Sequence, residues 1–386
     1  MERLRVGLLI DDSLDRPDGV QQYILSLGAW LASRGHEVHY ICGQTTRDDL
    51  PNLHVLGRTL TVRFNGNRLG TPLPVSRSRA RRLVADLGLD VLHVATPYSP
   101  LLAGRVISAS QRAGVATVAT FMIYPQSRLV SAGARVLGLI ERRRLRRFDR
   151  VLALSEAAQE FASGSFRVGS DVLGVPVNVA AFTPREGELV ETSGSTPPAI
   201  LFLGRLVPRK GPRELIEALA LLHAREPQRK WTAQIAGRGP MLDELAALAE
   251  ERSIADRVTF PGFVAEEDKA ALLGSADVIA LPSTGGESFG VSVVEALAAA
   301  NGVVLAGDNP GYRTVMRGLE PQLVNPSDIA AFAGAIGDAL DLAETAERRD
   351  AALTAQRKAA ARFDQDVIGE QILRVYSEAL AAHGVG

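Results

Sequence analysis

Cysteine is nearly absent from this 386-residue chain, Cys42 standing alone. That excludes a disulfide framework and any cysteine-based metal cluster, and it suits a reducing cytoplasm. Long apolar runs are missing as well. The first, at residues 6–10, is too short for the core of a secretory signal and runs into Asp11 and Asp12. No uncharged stretch reaches the ~20 apolar residues that a membrane-spanning helix needs. A dominant charge is lacking too: 43 Lys and Arg face 44 Asp and Glu, a net charge of -1, which excludes a globally basic nucleic-acid binder. What is present is ordinary globular composition, 46% hydrophobic and 23% charged, and this excludes wholesale disorder. At about 150 residues per domain, the length allows two or three domains, and two is the natural count.

The charge balance hides an asymmetry. Residues 1–184 hold 23 arginines, no lysine and 15 acids, an excess of eight positive charges, and the remainder has an excess of nine negative charges. Two modules facing different surroundings are expected, with the basic one the candidate for an anionic surface.

Both halves show one rhythm. Residues 6–10 read as a buried strand, Val20, Ile24, Leu27 and Leu31 as a helix face closed by Gly35, and residues 37–41 as the next strand. Further strands are expected at 91–93, 115–121 and 151–154. Residues 183–198 are polar and aperiodic, rich in Pro, Ser, Thr and Glu, and read as a linker. The rhythm then restarts, with strands at 199–203, 231–236, 258–260, 278–281 and 303–306. From Ser327 onward the chain favours helix. Strands alternating with helices predict an α/β protein of two doubly wound parallel-sheet domains, 1–182 and 199–364. A cleft would lie between them, and ligands would sit outside the carboxyl ends of the strands.

Several phosphate-binding signatures are missing. No G-x-G-x-x-G opens the first helix, Gly237-Arg-Gly239-Pro240 lacks a third glycine, and there is no Walker A motif, so a dinucleotide oxidoreductase is disfavoured. The six histidines are scattered, with no metal-ligand spacing. Elsewhere the second half is more informative. Arg205 follows a strand and Lys210 opens a helix, a cationic pair suited to a diphosphate and equally compatible with a solvated loop. Then Gly285-Gly-Glu287-Ser-Phe289-Gly290-Val291 follows the strand at 278–281 and starts a helix that carries Glu295. The leading amides of Phe289, Gly290 and Val291 would face an anion, Glu287 can reach a sugar's hydroxyls, and Glu295 can hold a ribose diol.

Taken together, Gly204-Arg205…Lys210-Gly211, Gly237-Arg-Gly-Pro240, Pro261-Gly-Phe-Val264 and Glu287…Glu295 resemble glycosyltransferase family four, in the family's order and over nearly the whole chain. Asp15-Arg-Pro-Asp-Gly19-Val20 and Phe64-Asn65-Gly-Asn67 look most like its phosphatidylinositol mannosyltransferase branch. The resemblance implies the GT-B fold of two Rossmann-like domains and transfer with retention of anomeric configuration. It implies that Gly19, Arg205 and Lys210 meet the donor diphosphate, Glu287 the donor sugar and Glu295 the ribose, with Val264 and Lys269 flanking the base. The last helix, about 365–386, would cross back onto the first domain. Asp12, Asp15, Asn65, Asn67 and Met122 are the acceptor-side candidates. A glycoside hydrolase would instead need two carboxyl groups about 5–5.5 or 6.5–9.5 Å apart across one bond, whereas these acids come with diphosphate cations.

The first half departs from the family pattern. Met122 follows Thr120-Phe121 where a histidine is usual, Ala95 replaces the partner of His93, Asp18 replaces a glycine, and the interdomain segment reads Gly174-Val-Pro-Val-Asn178. Methionine offers no useful hydrogen bond, so either the donor or acceptor differs from the norm, for example a sugar lacking a 6-hydroxyl, or Met122 merely packs. Two arginine clusters, Arg77, Arg79, Arg81 and Arg82, then Arg142, Arg143, Arg144, Arg146 and Arg147, fall on expected helices. They suit either an anionic membrane face or a solvated surface. The reading is a retaining transferase, peripheral at the inner face of the membrane or cytoplasmic. It would move a hexose from a GDP- or UDP-linked donor to an inositol phospholipid or cyclitol-like hydroxyl. No metal, cofactor or nucleic acid is expected. The alternative is a non-catalytic nucleotide-sugar-binding protein of the same fold.

Overall fold

In the computed structural model, which describes residues 2–15, 19–57, 59–64, 67–124, 128–184 and 197–383, the chain divides into two units. Unit 1 comprises Met1–Pro176 and Gln365–Gly386, and unit 2 comprises Val177–Asp364. The break falls ahead of residue 182, where composition placed it, because Val177 forms a parallel bridge to Asp364 and so joins unit 2. Most of the expected linker lies outside the described residues.

Unit 1 runs β1 (Arg5–Ile10), α1 (Gly19–Ser33), β2 (Glu37–Cys42), β3 (Leu53–Val55), β4 (Thr59–Phe64), β5 (Asn67–Pro72), α2 (Arg77–Leu87), β6 (Val91–Ala95), α3 (Leu102–Arg112), β7 (Ala116–Phe121), α4 (Arg128–Leu145), β8 (Arg150–Ala153), α5 (Glu156–Phe161) and β9 (Asp171–Val172). Its seven-stranded sheet has the order β3-β2-β1-β6-β7-β8-β9, parallel throughout. β6 and β7 are buried at every position, as strands covered by helices on both faces must be. β4 and β5 form a separate antiparallel hairpin, which alternating-pattern reasoning did not separate from the surrounding loop.

Unit 2 repeats the plan: β10 (Ala199–Leu203), α6 (Pro212–Arg225), β11 (Thr232–Ala236), α7 (Leu242–Glu251), β12 (Val258–Gly262), α8 (Lys269–Gly274), β13 (Val278–Leu281), α9 (Val291–Ala299), β14 (Val303–Gly307), α10 (Pro310–Val315), β15 (Leu323–Val324), α11 (Ile329–Glu344) and α12 (Ala346–Ala361). The strand order is β12-β11-β10-β13-β14-β15. Phe202, Leu219, Trp231 and Phe332 belong to its buried core. Gln356, fully buried on α12, accepts from the amide of Val304 at 2.8 Å and donates to the carbonyl of Gly302 at 2.9 Å, which ties the helix to the start of β14.

The last helix, α13 (Gln365–His383), belongs to unit 1 and packs on α1 and β7. The Trp30 indole donates to Asp366 at 2.7 Å. Deeper in, the Tyr376 hydroxyl meets Nδ1 of His93 at 2.7 Å, while Nε2 of the same ring lies 2.6 Å from the Thr120 hydroxyl. Burial pushes the pKa of His93 down to about 3, so this ring is a neutral core group.

Candidate active site

Adjacent parallel strands β10 and β13 deliver their following loops to the same edge of unit 2, the edge where doubly wound sheets hold ligands. The two loops touch through their backbones. Gly211 has φ +73, and a Cβ there would lie 2.0 Å from the carbonyl of Pro282, so a side chain is barred both by conformation and by space. The Thr284 amide donates to the carbonyl of Arg209 at 2.9 Å.

That contact sets three side chains on a single carboxylate oxygen. Oε1 of Glu287 lies 2.9 Å from Nζ of Lys210, accepts from Arg209 at 2.5 Å and accepts from the Ser283 hydroxyl at 2.9 Å. Burial alone would raise the carboxyl pKa of Glu287, but the charges of Lys210 and Arg209 outweigh it and hold the group below the usual glutamate range. Burial likewise opposes the Lys210 ammonium, and its interactions with Tyr312 and Glu287 raise its pKa on balance. Both members of the pair are therefore held charged.

Glu287 and α9 are set by a second constrained turn. Gly290, at φ +115, precedes the helix, and a Cβ there would lie 2.6 Å from the Tyr312 ring. α9 starts at Val291, so the amides leading into it stand at a helix N-terminus with no acidic side chain in the first turn. Phe289 is buried and meets the Phe363 ring edge-on at 5.0 Å. One turn further, Glu295 is buried and its Oε2 lies 3.3 Å from Nζ of Lys269, which also holds Glu266 at 2.9 Å. Lys269 is flanked by two carboxylates, which outweigh burial and raise its pKa. Glu295 has a single cation and a neighbouring acid, so burial dominates and its pKa is raised.

The remaining expected residues are placed as follows. Arg205 is exposed on the same loop as Lys210, two residues past β10. Val264 is half-buried between β12 and Lys269. In unit 1, Gly19 begins α1. Asp12 caps the amide of Ser13 at 2.7 Å. Asp15 accepts from the Thr45 hydroxyl at 2.5 Å and the Thr46 amide at 2.8 Å, so one of its oxygens fastens a neighbouring loop. Met122 follows β7 and is 3% exposed, a packed side chain. Asn65 lies outside the described residues, and Asn67 opens β5. Arg77, Arg79, Arg81 and Arg82 are exposed on α2. The second cluster was expected on a helix in full, but α4 ends at Leu145, so Arg146 and Arg147 follow it, and Arg144 turns inward to pair with Glu141 and donate to the Ser99 carbonyl at 2.8 Å. Among the described residues, no helix is long and apolar enough to cross a membrane.

Sequence reasoning overlooked Arg209, Ser283 and Tyr312. Arg209 immediately precedes Lys210, and that doubled cation was the available signal. Ser283 and Tyr312 carry none, since only the sheet order brings them to Glu287 and Gly290.

Residues 17–176 match the description Glycosyltransferase Family 4, and residues 189–356 match Glycosyl transferases group 1. The chain is 32% identical to phosphatidyl-myo-inositol mannosyltransferase of Mycobacterium leprae, an alignment covering 99% of this chain and 98% of the relative. It is 27% identical to 2-deoxystreptamine glucosyltransferase of Streptomyces kanamyceticus over 84% of this chain and 86% of that one. A solved glycosyltransferase from Rickettsia africae has the same fold, with a TM-score of 0.75 at 18% identity, covering 98% of this chain and 99% of that chain.

Proposed function

The chain belongs to glycosyltransferase family 4, and we propose that it transfers a hexose from a GDP- or UDP-linked donor to a hydroxyl of an inositol-type acceptor, with retention of configuration. The observation that carries this reading is the convergence of Arg209, Lys210 and Ser283 on Glu287, beside the N-terminus of α9. Arg209 and Lys210 thus face one carboxylate, and Arg205 stands on the same loop. The uncompensated positive charge matches the two phosphoryl groups of a nucleoside diphosphate sugar.

In this reading Lys210, Arg205 and the amides of Phe289, Gly290 and Val291 stabilise the charge that develops on the departing diphosphate. Glu287 orients the sugar hydroxyls and Glu295 the ribose, while Val264 and Lys269 flank the base. A diphosphate oxygen takes the acceptor's proton, so neither a metal nor a histidine base is required, and a buried Met122 is compatible with turnover. Acceptor recognition is assigned to unit 1, where Asp12, Asp15 and Asn67 are candidates. The relative that acts on a phosphatidyl-myo-inositol and the one that acts on a deoxystreptamine both take cyclitol hydroxyls, which supports that acceptor class. The exposed arginines of α2 suit a peripheral position on an anionic membrane.

The test incubates the chain with GDP-mannose, UDP-glucose or a 6-deoxyhexose donor and with phosphatidylinositol or free inositol. Nucleoside diphosphate release and the anomeric configuration of the product are then followed. Acceptor-dependent release with a retained anomer is expected. Donor binding without product under every pairing would establish a non-catalytic binder instead.

A further inference from the structure

A second charged feature lies in unit 1 and shares Arg77 and Arg81 with the exposed face of α2. A pocket of ≈ 160 Å³ is lined by Arg77 and Arg81 of α2, Arg105, Ser108 and Arg112 of α3, and Arg144 of α4, with no acidic side chain in its wall. The spacing is helical on both long contributors: Arg77 and Arg81 stand four apart, and Arg105, Ser108 and Arg112 stand three and four apart, so each helix turns one polar stripe to the same space. α2 packs directly on α3, which holds the two stripes together.

The floor of the pocket is fitted rather than incidental. Gly104 sits under Arg144, and a Cβ at that position would lie 2.1 Å from its Nη1, so the missing side chain is what admits the guanidinium. Arg144 is anchored on the Ser99 carbonyl and Glu141. Arg105 is less well provided for. Its Nε is buried without a hydrogen-bond partner, as is that of Arg144. None of Arg77, Arg81, Arg105 or Arg112 has an ion-pair partner among the described residues. Burial lowers the Arg144 pKa; Glu141 and Asp11 oppose that, and Arg105 adds to it. Five like charges gathered round one space repel one another, and an anion bound among them would offset that repulsion.

We propose that this pocket binds a phosphate-class anion, with Arg105 and Arg112 of α3 as its recognising residues, Arg144 as its floor and Arg77 and Arg81 as its rim. Guanidinium forks present paired N–H donors that match phosphate oxygens, and arginine is favoured over lysine wherever that match sets specificity. The anion is either a free phosphate or phosphomonoester, or the phosphodiester headgroup of a lipid, since one set of forks serves both. The site is separate from the Arg209, Lys210, Ser283 and Glu287 cluster, which lies in unit 2.

The test titrates the full-length chain, by calorimetry at constant ionic strength, with inorganic phosphate against chloride. In parallel it follows co-sedimentation with phosphatidylcholine vesicles with and without phosphatidylinositol. The variants are Arg105→Gln with Arg112→Gln, Arg112→Gln alone at its exposed position, and Arg3→Gln as a distant control. Each is checked for folding by circular dichroism and thermal midpoint in chloride. The single variant carries the test if the double variant is disturbed. We expect the double variant to lose about tenfold or more in affinity while the control binds as the unaltered chain does. Phosphate binding alone identifies a free anion, and phosphatidylinositol-dependent sedimentation lost in the same variants identifies the headgroup. The proposal is overturned if neither probe binds the unaltered chain, or if the variants keep its affinity for both.

Discussion

Nζ of Lys210 lies 2.9 Å from Oε1 of Glu287, and both side chains are largely buried, at 17% and 12% exposure. Removing two charges from water costs more than their attraction commonly returns, so such a pair is poor evidence for a stability device. Here it stands beside a second cation, at the carboxyl edge of a parallel sheet and one turn from a helix N-terminus. Chemistry explains that placement better than stability does.

Replacing Glu287 by Gln keeps the shape and removes the charge that Arg209 and Lys210 share. We expect turnover of a nucleoside diphosphate sugar to fall by about 10²-fold to 10³-fold. Initial-rate kinetics across donor concentrations would show whether the loss lies in kcat, as a role at the reacting sugar requires, or in KM alone.

Lys210→Met leaves Glu287 with Arg209 as its one cation. Breaking a buried pair costs about 3–5 kcal/mol when nothing replaces the lost partner, and Arg209 on the same oxygen reduces that here. The double change Lys210→Met with Glu287→Gln should cost less than the sum of the two single changes in a denaturation cycle. Strict additivity would show that the two groups do not interact.

Gly211→Ala tests the loop contact itself. The added Cβ meets the Pro282 carbonyl at 2.0 Å on a backbone of φ +73, and strain of this kind costs about 1–3 kcal/mol. The thermal midpoint should fall and donor affinity with it, since the two loops must separate and carry Lys210 away from Glu287. An unchanged affinity in a folded variant would show that this contact does not position the cluster.

The dependence of stability on pH follows from three groups. Glu287 has a lowered pKa, so its contribution is present above the ordinary value of 4.5 and is lost as pH falls through the lower folded value. His93, pushed from 6.5 to about 3, acts in the same sense: the unfolded chain takes up the proton first, and stability drains away as pH drops below 6.5. Glu295 opposes them. Its raised pKa means that the folded state binds the proton more readily, so its cost appears as pH rises above 4.5. Urea denaturation from acid to neutral pH should show a shallower fall for His93→Gln than for the unaltered chain, and a steeper one for Glu295→Gln.

Binding to vesicles through the exposed arginines of α2 should weaken as salt rises, because exposed charges are screened within about 8 Å at physiological ionic strength. Co-sedimentation with anionic vesicles at low and high salt measures this. Retention that is indifferent to salt would point to apolar contact, for which Val136, Leu139 and Ile140 on α4 are exposed.

Local pattern carries a good part of this protein. The buried apolar runs that become β1, β7, β10 and β13 and the helical spacing of α1 each follow from residues within one element, and the Glu287…Glu295 spacing falls on one turn and one helix. A neighbour's side-chain chemistry is enough to read such features. The order of the strands is different in kind. Arg209 and Ser283 reach Glu287 only because β10 lies beside β13, and Tyr376 reaches His93 only because the last helix returns to unit 1. The inward turn of Arg144 onto Ser99 was equally hidden, since the space above Gly104 exists only once α3 and α4 are packed. Contacts between residues far apart in the chain depend on which elements share a sheet edge and how closely their backbones approach. Periodicity along one segment contains neither quantity.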